Sequence, residues 1–229
     1  MLAFDEPEAI GREVLSRISP PPDNRRFGAE ILQNIPRARR ADMRQRYMKS
    51  LLREVQTTPD ARVLVDKNPS PTVSLPMWLR VFPELKVIIA LRDPRDVVIS
   101  CFFQNIMLNV TNANFLSLER TAKHYADLMD VWLRMREIGG FEWIETRYED
   151  VVANLEGEGR RVTEFLGLKW HPDQARYYET ARRKFLYAPT YHDVTQPVYK
   201  RAVGRWARYA EALAPLQERL APYCRTFGY

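Results

Sequence analysis

Apolar positions along this 229-residue chain follow two patterns, short runs rich in β-branched and aromatic side chains and longer stretches with helical spacing. Three of the short runs, residues 62–65, 86–91 and 141–146, lack the in-out alternation of a half-solvated strand and predict buried parallel strands. Helical spacing predicts helices over 39–56, 71–81, 94–106, 116–138, 155–166, 172–183 and 206–223. Strands joined through helices require right-handed crossovers, so the pattern predicts an α/β fold, a three-layer open parallel sheet flanked by helices. Ligands of such sheets bind beyond the carboxyl ends of the strands. No repeat divides the chain, and its length suits one domain over residues 1–229.

Chemistry at a strand end is clearest after Leu91. Asp93 stands where an N-cap belongs, Pro94 takes the first helical position, and Asp96 adds an acid to the first turn. The helix that follows is apolar on nearly every side, through Val97, Val98, Ile99, Cys101, Phe102 and Phe103, which predicts burial. Asp96, Ser100 and Gln104 interrupt it at i, i+4 and i+8 and form one polar stripe. A polar line on a buried helix implies an internal hydrogen-bond network or a bound polar ligand. Arg92 and Ser100 at a helix start suit a phosphate, because amides and helix dipole favour an anion there. The competing arrangement pairs Arg92 with Asp96 and turns Ser100 back onto a carbonyl.

Composition narrows the classes. Charge is +6 at neutral pH, which fits an anionic ligand and equally fits solubility. Two distant cysteines and three histidines offer neither a disulfide framework nor a zinc site, and suit a reducing compartment. No run approaches the roughly 18 apolar residues of a membrane span, and the acidic start is unlike a signal peptide. Nothing points to nucleic acid.

The segment Arg92-Asp93-Pro94-Arg95-Asp96-Val97-Val98-Ile99-Ser100 resembles the 3′-phosphate signature of sulfotransferases that use PAPS (3′-phosphoadenosine 5′-phosphosulfate). Further matching landmarks are Val65-Asp66-Lys67-Asn68-Pro69, Phe82-Pro83, Arg147-Tyr148-Glu149-Asp150, Phe165-Leu166-Gly167-Leu168 and the stretch 196–206. Together they resemble bacterial sulfotransferases fused to tetratricopeptide repeats and, more distantly, tyrosylprotein sulfotransferases, over about residues 60–210. The resemblance implies the P-loop nucleotide-kinase-like sulfotransferase fold, PAPS as donor and PAP as product. It also implies no metal, a bacterial cytoplasmic setting, and a hydroxyl or amine acceptor on a small molecule, glycan, lipid or peptide.

Residue by residue, the resemblance assigns Arg92 and Ser100 to the 3′-phosphate and Tyr148, which ends the third predicted strand, to the nucleotide. Lys67, just after the first predicted strand, falls near the reacting group, where a fixed cation helps most in the transition state. Tyr199, Lys200, Arg201 and Arg205 lie in a late basic segment that folds over the nucleotide in the family, with Arg205 the preferred cation. Gln104 departs from the tyrosylprotein enzymes, which place an arginine there. The family's Pro-Lys/Arg-Ser-Gly-Thr-Thr-like loop for the 5′-phosphosulfate does not occur in these residues, and the landmark order sets it before residue 1. Phe4-Asp5-Glu6-Pro7 resembles the segment beyond that loop's helix and makes Glu6 the expected general base, ahead of Asp5, with His192 in reserve. The loop's absence leaves a truncated reading frame, a second chain or a PAP-binding module without catalysis as explanations, truncation being expected.

Overall fold

A computed structural model describes residues 2–5, 9, 13–14, 18, 29–55, 63–68, 71–105, 108–109, 111–183 and 195–229. The chain is α/β and divides into two compact units, Met1–Lys86 with Val131–Glu142, and Val87–Asp130 with Trp143–Tyr229. Described strands pair as two two-stranded sheets.

In the first unit, β1 (Leu2–Asp5) runs parallel to β2 (Leu64–Lys67), with Phe4 opposite Asp66 and Asp5 opposite Lys67. Sequence patterning misses β1, because four residues ending in aspartate are too short to show a period. It also sets β2 two residues early, so Lys67 closes the strand instead of following it. Helices α1 (Ala29–Gln33), α2 (Arg37–Val55) and α3 (Leu75–Val81) also belong to this unit. A 3-10 turn, Pro71–Ser74, precedes α3, so the helix expected over 71–81 is split.

The buried stripe of α2 is Met43, Tyr47 and Leu51, at i, i+4 and i+8. Tyr47 packs edge-on against Trp78 and Phe82, with ring centroids 5.4 and 5.2 Å away. Such pairs add stabilisation beyond their buried area. Its hydroxyl donates to Asp66 Oδ2 at 2.5 Å, tying α2 to the end of β2 beside Lys67. Arg80 donates to the carbonyls of Leu32 and Gln33 at 2.9 and 2.6 Å, satisfying groups that the end of α1 leaves unpaired.

The second unit contains β3 (Lys86–Leu91, from Val87), α4 (Pro94–Phe102) and α5 (Leu118–Ile138, to Asp130). After β4 (Glu142–Arg147, from Trp143) come α6 (Tyr148–Ala153), α7 (Leu155–Phe165) and α8 (Tyr177–Arg183). The helix expected over 206–223 is broken into a 3-10 turn at Arg205–Tyr209, α9 (Ala210–Leu213), a second 3-10 turn containing Pro215, and α10 (Gln217–Phe227).

Helix α4 is shorter and less buried than its composition predicts. Val98 and Ile99 are buried, but Phe102 and Phe103 are 37% and 50% exposed where the helix ends. Helix α10 buries Leu220, Tyr223, Cys224 and Phe227, a one-sided helical stripe. Gly228 ends it with φ 75°, and the Tyr229 amide closes onto Cys224 O at 2.8 Å. This left-handed cap turns Tyr229 back toward Arg147 and Glu149.

Removing the Tyr47 hydroxyl isolates its bond to half-buried Asp66 near the end of β2. Tyr47→Phe is expected to lower unfolding free energy by about 1–3 kcal/mol, because the lost partner is a carboxylate. Urea denaturation measures it; unchanged stability would show that Asp66 is fully solvated without the phenol.

Candidate functional site

The turn from β3 into α4 is built by short-range chemistry. Asp93, the N-cap, accepts from the Arg95 amide at 2.9 Å. Its carboxylate is also gripped by the Arg95 guanidinium, Nε to Oδ1 at 2.9 Å and Nη2 to Oδ2 at 2.7 Å. Such a two-point pair holds geometry as well as charge. The Asp93 amide donates to Glu149 Oε1 at 3.1 Å, and Glu149 Oε2 accepts from the Tyr229 hydroxyl at 3.0 Å. Tyr229 in turn lies under the Arg147 guanidinium, 4.3 Å from its ring centroid. The turn is therefore braced from α6 and from the end of α10.

Arg92 is set differently. Nη2 donates to Ala202 O at 2.6 Å, the guanidinium lies 4.8 Å over the Tyr148 ring, and buried Nε has no hydrogen-bond partner. Asp96 is 3.8 Å away, so the pairing expected from their spacing is an ion-pair contact without a hydrogen bond. The Asp96 carboxylate, 1% exposed, instead accepts the Gly204 amide at 2.8 Å and the Trp206 amide at 2.7 Å. Burial raises its carboxyl above the ordinary range; the Trp206 amide, the Arg92 charge and the Gly204 amide oppose that shift. Cys101, next along α4, has its thiol pushed up to about 11 by burial, so it is protonated at neutral pH and no nucleophile.

Arg92, Ser100, Gln104, Tyr148, Tyr199 and Arg205 line one cavity of about 490 Å³. Its apolar wall includes Val151, Val152, Leu155 and Val198. Arg92, Ser100, Tyr148, Tyr199 and Arg205, all assigned from sequence, are thus brought together from three stretches of chain. Arg205 is exposed and lies 5.7 Å over the Phe103 ring. Lys200 is exposed and is not among the lining residues; Arg201 stacks on the Tyr199 ring at 4.3 Å. Lys67 belongs to the first unit. Glu6 and His192 lie outside the described residues. Tyr148 opens α6 instead of ending β4, since Arg147 is still extended and Glu149 and Asp150 suit a first turn.

Sequence reasoning missed the partners of Asp96 and the Glu149–Tyr229 brace. The first joins residues 108 and 110 positions apart through backbone amides, which carry no side-chain signature. The available signal was Gly204 alone, with φ 69° ahead of the Arg205–Tyr209 turn.

Fold and site define an α/β protein whose strand-to-helix turn faces a cation-lined cavity. The chain belongs to the sulfotransferase family, whose family model matches residues 10–172. It is 25% identical over 171 residues to Protein-tyrosine sulfotransferase A of Caenorhabditis elegans, covering 72% of this chain and 44% of that protein. An uncharacterized protein of Aquifex aeolicus (strain VF5) is 27% identical over 161 residues, 69% of this chain and 20% of that protein. The chain spans less than half the length of these two relatives.

The brace has a separable prediction. Asp93→Ala loses both the cap and the Arg95 pair and is expected to cost about 1–3 kcal/mol in urea unfolding; Asp93→Asn, which keeps a capping oxygen, is expected to cost less. Equal losses would mean that the cap contributes nothing.

Proposed function

We propose that residues 1–229 belong to one sulfotransferase domain that moves a sulfuryl group from PAPS to a hydroxyl or amine acceptor and yields PAP. The observation that carries this reading is the single cavity lined by Arg92, Ser100, Tyr148, Tyr199 and Arg205. A buried guanidinium nitrogen without a partner, sharing one cavity with the Ser100 hydroxyl, fits a phosphate better than it fits a closed core. Its tyrosine rings and apolar wall suit the body of a nucleotide.

PAPS supplies the transferable group and a phosphate leaving group; the chain's task is to hold charge and orient the acceptor. Arg92 and Ser100 bind the 3′-phosphate, and Gln104 adds an uncharged amide donor at the same wall. Tyr148 and Tyr199 bound the nucleotide, while Arg205 supplies a cation from the late segment and Lys200 an outer one. Lys67 stabilises the charge that grows as the sulfuryl group moves, with Glu6 removing the acceptor's proton. The pairing of β1 with β2 supports that assignment, because it sets Asp5, one residue before Glu6, opposite Lys67. The tyrosine in the name of the Caenorhabditis elegans relative makes a tyrosyl peptide the first acceptor to try.

Calorimetry with PAP tests the nucleotide half. Arg92→Ala is expected to weaken binding roughly 100-fold and Ser100→Ala roughly tenfold, the loss typical of a charge-assisted and of an ordinary buried hydrogen bond. Absence of PAP binding by the wild type, or wild-type affinity in Arg92→Ala, sinks the reading. With PAPS and a tyrosyl peptide, Lys67→Ala and Glu6→Gln are expected to lower kcat by two orders of magnitude or more while leaving PAP affinity within about threefold. Parallel losses of affinity and rate would remove both from the chemistry.

A further inference from the structure

A buried carboxylate 3.8 Å from the arginine of an anion site needs a reason, because its charge opposes the anion. The reason lies in its hydrogen bonds. Both Asp96 oxygens are taken by backbone amides of one segment, Gly204 and Trp206, at 2.8 and 2.7 Å. The same strand-to-helix turn grips that segment twice more, through Arg92 to Ala202 O at 2.6 Å and Arg95 stacked 3.8 Å over the Trp206 ring. Residues 199, 202 and 205, which line the cavity, belong to that segment. Its other side chains Lys200, Arg201 and Val203 are exposed, so they give it little apolar anchorage.

We propose that Asp96 is a positioning residue: it latches residues 202–206 onto the start of α4 and so holds Tyr199 and Arg205 at the nucleotide cavity. This rests on the nucleotide reading above. Asp96 does not touch the ligand; it acts through the segment it holds. The fit is specific to a carboxylate. Asparagine keeps one acceptor, but its amide nitrogen then faces a backbone N–H, donor against donor.

Two effects of Asp96→Asn have opposite signs, which makes the test sharp. Loss of charge beside Arg92 alone predicts tighter PAP binding. Loss of the latch predicts weaker binding, and weaker selectively for the 3′-phosphate, because Arg92 loses the Ala202 carbonyl that fixes it and Arg205 is displaced, while the apolar wall on α6 and α7 is untouched. In the wild type and in Asp96→Asn, PAP and adenosine 5′-phosphate affinities are measured by calorimetry, and tryptic cleavage after Lys200, Arg201 and Arg205 is timed with and without PAP. The expected result is a PAP affinity roughly tenfold lower in the variant, a smaller change for adenosine 5′-phosphate, and faster cleavage that PAP no longer suppresses. Tighter or unchanged PAP binding overturns the latch, and so does an equal loss for both nucleotides.

If the variant fails to fold, hydrogen exchange on the wild type decides. Slow Gly204 and Trp206 amides without nucleotide, slowed further by PAP, support the latch; fast exchange in the free protein overturns it. A wild type that binds no PAP removes the nucleotide reading and with it the latch's role in affinity. Slow amides combined with an unchanged PAP to adenosine 5′-phosphate ratio in the variant remove the latch alone.

Discussion

The carboxylate of Asp96 has to be solvated by protein, and the second unit is arranged around that requirement. A charge buried in the first turn of a helix is costly unless donors reach every lone pair that faces inward. The start of α4 offers its own positive end, but the donors that reach the oxygens come from Gly204 and Trp206. Satisfying one buried acid therefore fixes where the late segment must lie. It also explains why that segment turns with a left-handed glycine: Gly204, with φ 69°, is the residue whose amide must point inward before the Arg205–Tyr209 turn begins.

The turn ahead of Asp96 is constrained just as tightly from the other side. Asp93 accepts from the Arg95 amide and guanidinium while its own amide is held by Glu149. Glu149 is steadied by Tyr229, and Tyr229 by the guanidinium of Arg147. A backbone turn held on both faces keeps the direction of Arg92 nearly fixed before any ligand arrives. Preorganisation of this sort reduces the ordering cost of binding, so the affinity of an anion site depends on residues that never meet the anion.

Local chemistry made the start of α4 legible in the sequence: cap, proline and acid all signal within four residues, and the structure places each in that role. The α/β class and strands β2, β3 and β4 were legible too, because runs of β-branched and aromatic residues declare a strand by composition. What escaped was whatever depends on distant backbone. The partners of Asp96 are amides, the same in every sequence, so a pairing of Arg92 with Asp96 looked natural when only side chains were counted. Strand β1 was too short to show a period, and Tyr148 passed for a strand end because an aromatic ring suits either element. Phe102 and Phe103 looked like core by type, whereas their place at the helix terminus leaves them exposed, packed edge-on against each other at 5.3 Å with Phe103 against Tyr209 at 5.2 Å.

Net charge alone would not have found the cavity, since several arginines in the second unit are already committed to carboxylates. Arg160 is paired with Glu156, Arg161 with Glu158 and Arg176 with Asp173, each on its own helix or turn, and Arg95 has given both edges of its guanidinium to Asp93. For any of these, an incoming anion would have to displace a carboxylate already in contact, and the exchange would return little. Arg92 and Arg205 stand apart. Arg92 spends one nitrogen on a carbonyl, keeps another buried without a partner, and shares its nearest acid with two backbone amides. Arg205 rests on the Phe103 and Tyr209 rings, a contact that leaves the in-plane donors of its guanidinium for a ligand. On the proposed reading, what separates a binding cation from a structural one among the described residues is the partner it has been denied, and for Arg92 the fold denies it by turning Asp96 toward the backbone.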